Sequence, residues 1–176
     1  MERIGERRYI IDYNRKEHEV ICPEYAGVSG AAGGDVFIVI PWFLLPRKKY
    51  PIQAYVYAIN LYSTNPEMGQ RAVAEATRKK FGLSSFSHST VCRSFKALEQ
   101  SILKAMEGLP MQAVDFGGVG SGKQRRFPSV SDTAERRSSM SMFLKSLADS
   151  NDAEDIDRYS CTIVNNWYNK YSCLLI

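Results

Sequence analysis

Apolar side chains recur at three- and four-residue intervals through most of this chain, and in short β-branched or aromatic runs only near its start. Ile52, Tyr55, Val56, Ile59 and Tyr62 mark one face of a helix that ends near Ser63. Pro51 suits its opening, and Asn65-Pro66 stops it. A second helix is expected from about Met68 to Phe81, with Gly82 as a left-handed terminator. Val91, Phe95, Leu98, Ile102 and Met106 predict a longer third helix opening at Ser89. Towards the C-terminus, Met140, Phe143, Leu144 and Leu147 predict a helix beginning near Ser131 or Asp132, with Glu135 spaced for a capping box. Ile156, Ile163, Trp167 and Tyr171 predict a last helix.

The start reads differently. Arg8-Tyr-Ile-Ile-Asp-Tyr13, Glu19-Val-Ile-Cys22 and Asp35-Val-Phe-Ile-Val-Ile40 are strand-like runs separated by polar or glycine-rich turns. So small a piece buries little alone and is expected to lean on the rest of the chain. Pro41-Trp-Phe-Leu-Leu-Pro46 is a stiff apolar connector. The predicted class is therefore mainly α: a tri-helical helix-turn-helix unit with a small N-terminal β piece and a C-terminal helical hairpin. The expected divisions are a β-rich segment at 1–46, the helix-turn-helix unit at 47–108, a basic glycine-rich linker at 109–131 and the hairpin at 132–176.

Charge sharpens this picture. Net charge is only +4, but residues 68–104 carry seven bases against two acids, whereas residues 145–158 carry five acids against two bases. A local basic block suits phosphate contact, although a solvated helix face gives the same composition. In a helix-turn-helix, Val73, Ala76, Phe81, Val91, Phe95 and Leu98 would hold the two helices together. Ser89 would cap the second helix and aim its amides at a phosphate. Thr90, Arg93 and Ser94 would face the groove, Arg93 as the base-reading guanidinium. Lys79, Lys80, Lys96, Arg47 and Lys48 would touch phosphates. The turn Leu83-Ser-Ser-Phe-Ser-His-Ser89 is longer than this motif usually carries. Double-stranded DNA is the expected partner, and a homodimer would add affinity for short sites.

Other chemistries find less support. Gly117-Gly-Val-Gly-Ser-Gly-Lys-Gln124 has the glycine, gap and lysine of a phosphate loop, but Gln124 stands where magnesium needs Ser or Thr. A nucleotide-binding enzyme using Lys123 is thus a minor alternative, and Lys123, Arg125 and Arg126 fit a basic arm. His18 and Cys22 offer two metal ligands where a structural zinc site needs four. Neither His18 nor His88 sits in a nucleophile motif, so no catalysis and no cofactor are expected. The cysteines Cys22, Cys92, Cys161 and Cys173 are widely spaced, with no C-x-x-C pair. The terminal Cys173-Leu-Leu-Ile176 matches a prenylation box only in outline. No apolar run approaches a membrane span and no signal segment opens the chain, which points to the cytoplasm. A protein-interaction module using Trp42, Trp167 and tyrosines is the main alternative to DNA binding.

Short sequence words add a resemblance. Pro41-Trp-Phe-Leu-Leu-Pro-Arg-Lys-Lys-Tyr50, Arg78-Lys-Lys-Phe-Gly-Leu-Ser84 and His88-Ser-Thr-Val-Cys-Arg-Ser-Phe-Lys-Ala-Leu98 resemble transposase-like helix-turn-helix proteins of bacterial mobile elements. Arg126-Phe-Pro-Ser-Val130 and Trp167-Tyr-Asn-Lys-Tyr171 are similar to the tail of that group, so the likeness spans residues 41–176. It implies DNA association without supplying a catalytic residue. Members of that group tend to begin with a cysteine-rich zinc ribbon. Only Cys22-Pro23 is recognisable here, which implies a degenerate ribbon that holds its shape without metal.

Overall fold

The computed structural model describes residues 2–26, 36–41, 43–45, 47–107 and 133–149. Three antiparallel strands in the order β1-β2-β3 precede four helices. The strands are β1 (Glu2–Tyr13), β2 (Lys16–Ala26) and β3 (Val36–Ile38), and the helices are α1 (Ile52–Thr64), α2 (Gln70–Phe81), α3 (His88–Glu107) and α4 (Thr133–Asp149). A mainly helical chain with a small N-terminal sheet is thus what the described residues form. The basic linker, the glycine-rich stretch, the acidic turn and the last helix lie outside them.

The strands run longer than their β-branched cores suggest, because Asn14 and Arg15 both adopt positive φ, at 52° and 63°. That is the backbone a two-residue hairpin loop requires, and it keeps the partners in register from Tyr13↔Lys16 to Gly5↔Glu24. A bulge between Arg3 and Gly5 then shifts the ladder. One face of the hairpin turns Ile11 and Cys22 inward against Leu44, with Tyr9, Val20, Ile38, Ile40 and Phe43 around them. Burial in this apolar setting raises the pKa of the Cys22 thiol. His18 is exposed on β2, four residues from Cys22. At strand rise this separates them by about 13 Å, so the two do not share an ion.

The connector joins two cores. Leu44 belongs to the hairpin cluster, while its neighbour Leu45 belongs to the helical cluster. That larger cluster gathers Ile52, Tyr55, Val56 and Ile59 of α1, Val73 and Ala74 of α2, Val91, Phe95, Leu98 and Ile102 of α3, and Met140, Phe143 and Leu144 of α4. The α2 face is Val73, Ala74 and Thr77, so Ala76 sits at its margin and is half-buried. Phe81 is also half-buried and stands edge-on to Tyr57 at 5.6 Å. On α4, Arg137 donates to the carbonyls of Asn65, Pro66 and Met68, satisfying the chain as it leaves α1. Arg136 closes on Glu99 of α3 through two bonds of 2.8 and 2.6 Å.

The sheet does lean on the helices, and it does so through its loop. The Asn14 and Arg15 amides donate to the carbonyls of Phe81 and Gly82 at the end of α2. Gly82 is left-handed at φ 60°, as its place after α2 demands. A Cβ there would meet Asn14 Cα at 3.1 Å and Arg15 N at 3.3 Å, both backbone atoms. Gly82→Ala is therefore expected to destabilise the protein by about 2 kcal/mol, combining left-handed strain with displacement of the hairpin loop. Chemical denaturation of the two proteins measures this.

Candidate nucleic-acid interface

The segment between α2 and α3 is six residues, Gly82–Ser87, longer than a standard helix-turn-helix allows. Its shape comes from three outside supports. Asp12 of β1 is fully buried, and its carboxylate accepts from the Ser84 amide at 3.0 and 3.1 Å, the Ser84 hydroxyl, and the Ser85 amide at 3.4 Å. Tyr50 shares a 3.0 Å hydroxyl bond with Ser85, and Lys49 reaches the same hydroxyl at 3.5 Å. Phe86 plugs the turn into Tyr50 and Tyr55, with ring centroids 4.9 and 6.0 Å away. The only sequence trace of the Asp12 role is an acid inside the otherwise apolar and aromatic run Tyr9–Tyr13.

Helix α3 opens earlier than its apolar stripe suggests. Ser87 is the cap: its side chain accepts from the Thr90 amide at 3.2 Å, the bond an N-cap makes to the third helical residue. Ser89, expected in that role, lies inside the first turn, its hydroxyl 3.1 Å from that of Ser87. Ser94 also departs from expectation. It is 2% exposed and packs on the side of Val91 and Leu98, so it cannot face a groove. Three residues C-terminal to Val91, it falls on the edge of the buried stripe rather than the free one.

The other α3 positions are available. Arg93, Lys96, Ser89 and Gln100 are exposed along one side, and Thr90 is half-buried at its edge. Arg93 donates to the Ser89 carbonyl at 3.2 Å, which lays its guanidinium along the first turns of the helix. The acid nearest this stripe, Glu99, is held by Arg136 on the flank facing α4.

Lys48, in the segment between the connector and α1, acts on the same side as Arg93. Burial is the larger cause lowering the Lys48 pKa, and the Arg93 charge is the second. The Lys48 ammonium lies 5.4 Å from the Tyr55 ring centroid. Tyr55 is pushed up to about 12, mainly by burial, with Arg93 acting in the opposite direction. Arg47 beside it is exposed and left-handed at φ 63°, an unusual backbone for an arginine.

Lys80 of α2 is not gathered there. Lys80 sits 3.7 Å over the Tyr57 ring. Tyr55 and Tyr57 are two residues apart on α1, about 200° around the helix, so Lys80 and Lys48 flank opposite sides of it. Lys79 is exposed on α2. The structure thus brings together Arg93, Lys96, Ser89, Thr90 and Lys48, with Arg47 adjacent, and sets Lys80 apart.

No family model, no curated protein and no solved structure matches this chain. Among the described residues no three His, Cys, Asp or Glu side chains form a group able to hold a metal. No described helix is long and apolar enough to cross a membrane.

Proposed function

We propose that this chain binds double-stranded DNA, α2 and α3 acting as a helix-turn-helix whose enlarged turn is held by the N-terminal sheet. In this reading it is a cytoplasmic regulatory or mobile-element-associated protein with no catalysis of its own. The observation that carries it is the exposed stripe of α3, where Arg93 and Lys96 share one side, Lys48 feels the Arg93 charge and Glu99 is turned away to Arg136. The Arg93 charge disfavours the protonated form of half-buried Lys48, and an incoming phosphate oxygen would relieve that repulsion. Arg93 then supplies base reading, and Lys48, Lys96 and Arg47 supply backbone contacts. The resemblance of residues 41–176 to mobile-element proteins supports the same assignment.

Fluorescence titration of a labelled duplex checks the electrostatic part. With three phosphate contacts, affinity is expected to fall about 40-fold as salt rises from about 50 to about 200 mM. Affinity that ignores salt would refute phosphate contact. The nucleotide-enzyme alternative rests on Gly117–Gln124, outside the described residues, and the interaction-module alternative rests partly on Trp42 and Trp167, also outside them.

A further inference from the structure

Helices α2 and α4 begin at one small cavity beside α3. Its polar lining is Gln70, the first residue of α2, Thr133, the first of α4, and Lys96, Arg136 and Arg137. Tyr62 of α1 also lines it. The cavity measures about 160 Å³, below the roughly 300–1,000 Å³ of sites for drug-sized ligands. Gly69, the N-cap of α2, has no side chain to accept from the first amides of that helix. An uncapped helix start carries partial positive charge.

Charge in this cavity is one-sided. No acid lines it; Glu135, in the first turn of α4, is exposed outside the lining. Glu99 answers Arg136 at 2.6 Å. Lys96 and Arg137 form no ion pair among the described residues, so two positive charges stay unanswered. Arg137 is the more deeply placed of the two, at 9% exposed. Its terminal nitrogens donate to the Asn65, Pro66 and Met68 carbonyls, while its Nε is buried with no hydrogen-bond partner. A buried guanidinium that meets only carbonyls and the Tyr62 ring, 4.1 Å away, lacks a counter-charge. Two unanswered charges select among anions. A phosphate monoester carries about 1.5 to 2 negative charges near pH 7, whereas each phosphodiester of a DNA backbone carries a single one.

We infer that this cavity takes a doubly charged phosphate group, held by Lys96, Arg136 and Arg137 together with Gln70 and the start of α2. The site shares Lys96 with the DNA reading but does not rest on it, and its test contains no nucleic acid. Isothermal titration of the full chain with inorganic phosphate, at ionic strength held constant with chloride, is expected to show one saturable site. Dimethyl phosphate, a singly charged diester like the DNA backbone, is expected to bind at least about tenfold more weakly. Methyl phosphate that binds as tightly as phosphate assigns the group to the end of a larger ligand, and weaker binding assigns it to the free ion; both support the site. Gln70→Glu puts a carboxylate at the cavity wall and is expected to weaken phosphate at least about tenfold. An acid suits the first turn of a helix, so circular dichroism is expected to show this variant folded. Lys96→Gln is expected to weaken phosphate as well. Lys16→Gln makes the same change of net charge at an exposed residue of β2 and is expected to bind like the parent. Phosphate that fails to saturate overturns the site. So does a diester that binds as tightly, a folded Gln70→Glu that binds like the parent, or a Lys16→Gln that loses as much as Lys96→Gln.

Discussion

Asp12→Ala is expected to lower the midpoint of thermal unfolding by roughly 5–15 °C. The carboxylate is 0% exposed and takes bonds from two amides and one hydroxyl of the α2–α3 turn. Hydrogen bonds to an ionised acceptor contribute about 1.5–3 kcal/mol each, and water reaching the exposed Ser84 and Ser85 recovers part of that. The net loss is then about 3 kcal/mol, and in a chain of this size each kcal/mol shifts the midpoint by about 2–4 °C. Asp12→Asn keeps the shape and one acceptor oxygen but turns an amide N–H₂ towards donors, so it is expected to fall between alanine and the parent. Glu17→Ala is the control. Glu17 lies one strand across from Asp12 and makes only an exposed 3.7 Å pair with Lys49, a contact of little energetic weight. Calorimetry of the three variants measures the series; equal midpoints for Asp12→Ala and Glu17→Ala would refute the bracing role.

Arg93→Ala is expected to weaken binding to the preferred duplex about 10- to 100-fold, and other duplexes much less. A guanidinium gripping a base edge in two places discriminates by about 1–3 kcal/mol, and its loss removes that discrimination. Folding is expected to be unaffected, because the exposed Arg93 bonds only the Ser89 carbonyl of its own helix. Lys96→Ala is expected to weaken all duplexes alike, as loss of a phosphate contact does. Lys80→Ala is the contrasting case: Lys80 is held over Tyr57 on the far side of α1 from Lys48. It is expected to leave binding as it was. Anisotropy titrations against two duplex sequences separate these outcomes.

Local rules carry the helices further than they carry the site. Periodicity marks α1, α2, α3 and the start of α4 because each buries one stripe, and Gly82 announces its own left-handed backbone. Ser94 misleads because a serine on the edge of a buried stripe looks polar in sequence, yet the packed core leaves it 2% exposed. The cap falls at Ser87 rather than Ser89 because Ser87, Ser89 and Thr90 are all suitable hydroxyls, and only the backbone selects among them. Asp12 lies furthest from view. It acts on Ser84, 72 residues along the chain, and no local pattern connects a strand acid with a distant turn. The influence of Arg93 on Lys48 has the same origin, since the segment before α1 and α3 come together only through the packed core.

Binding-site selection from random duplexes, run side by side on the full chain and on Arg93→Ala, tests the role of α3 most directly. Enrichment of one short motif by the parent, and none by the variant, is the expected result. A parent that enriches nothing, or a variant that enriches the same motif as strongly, would contradict it.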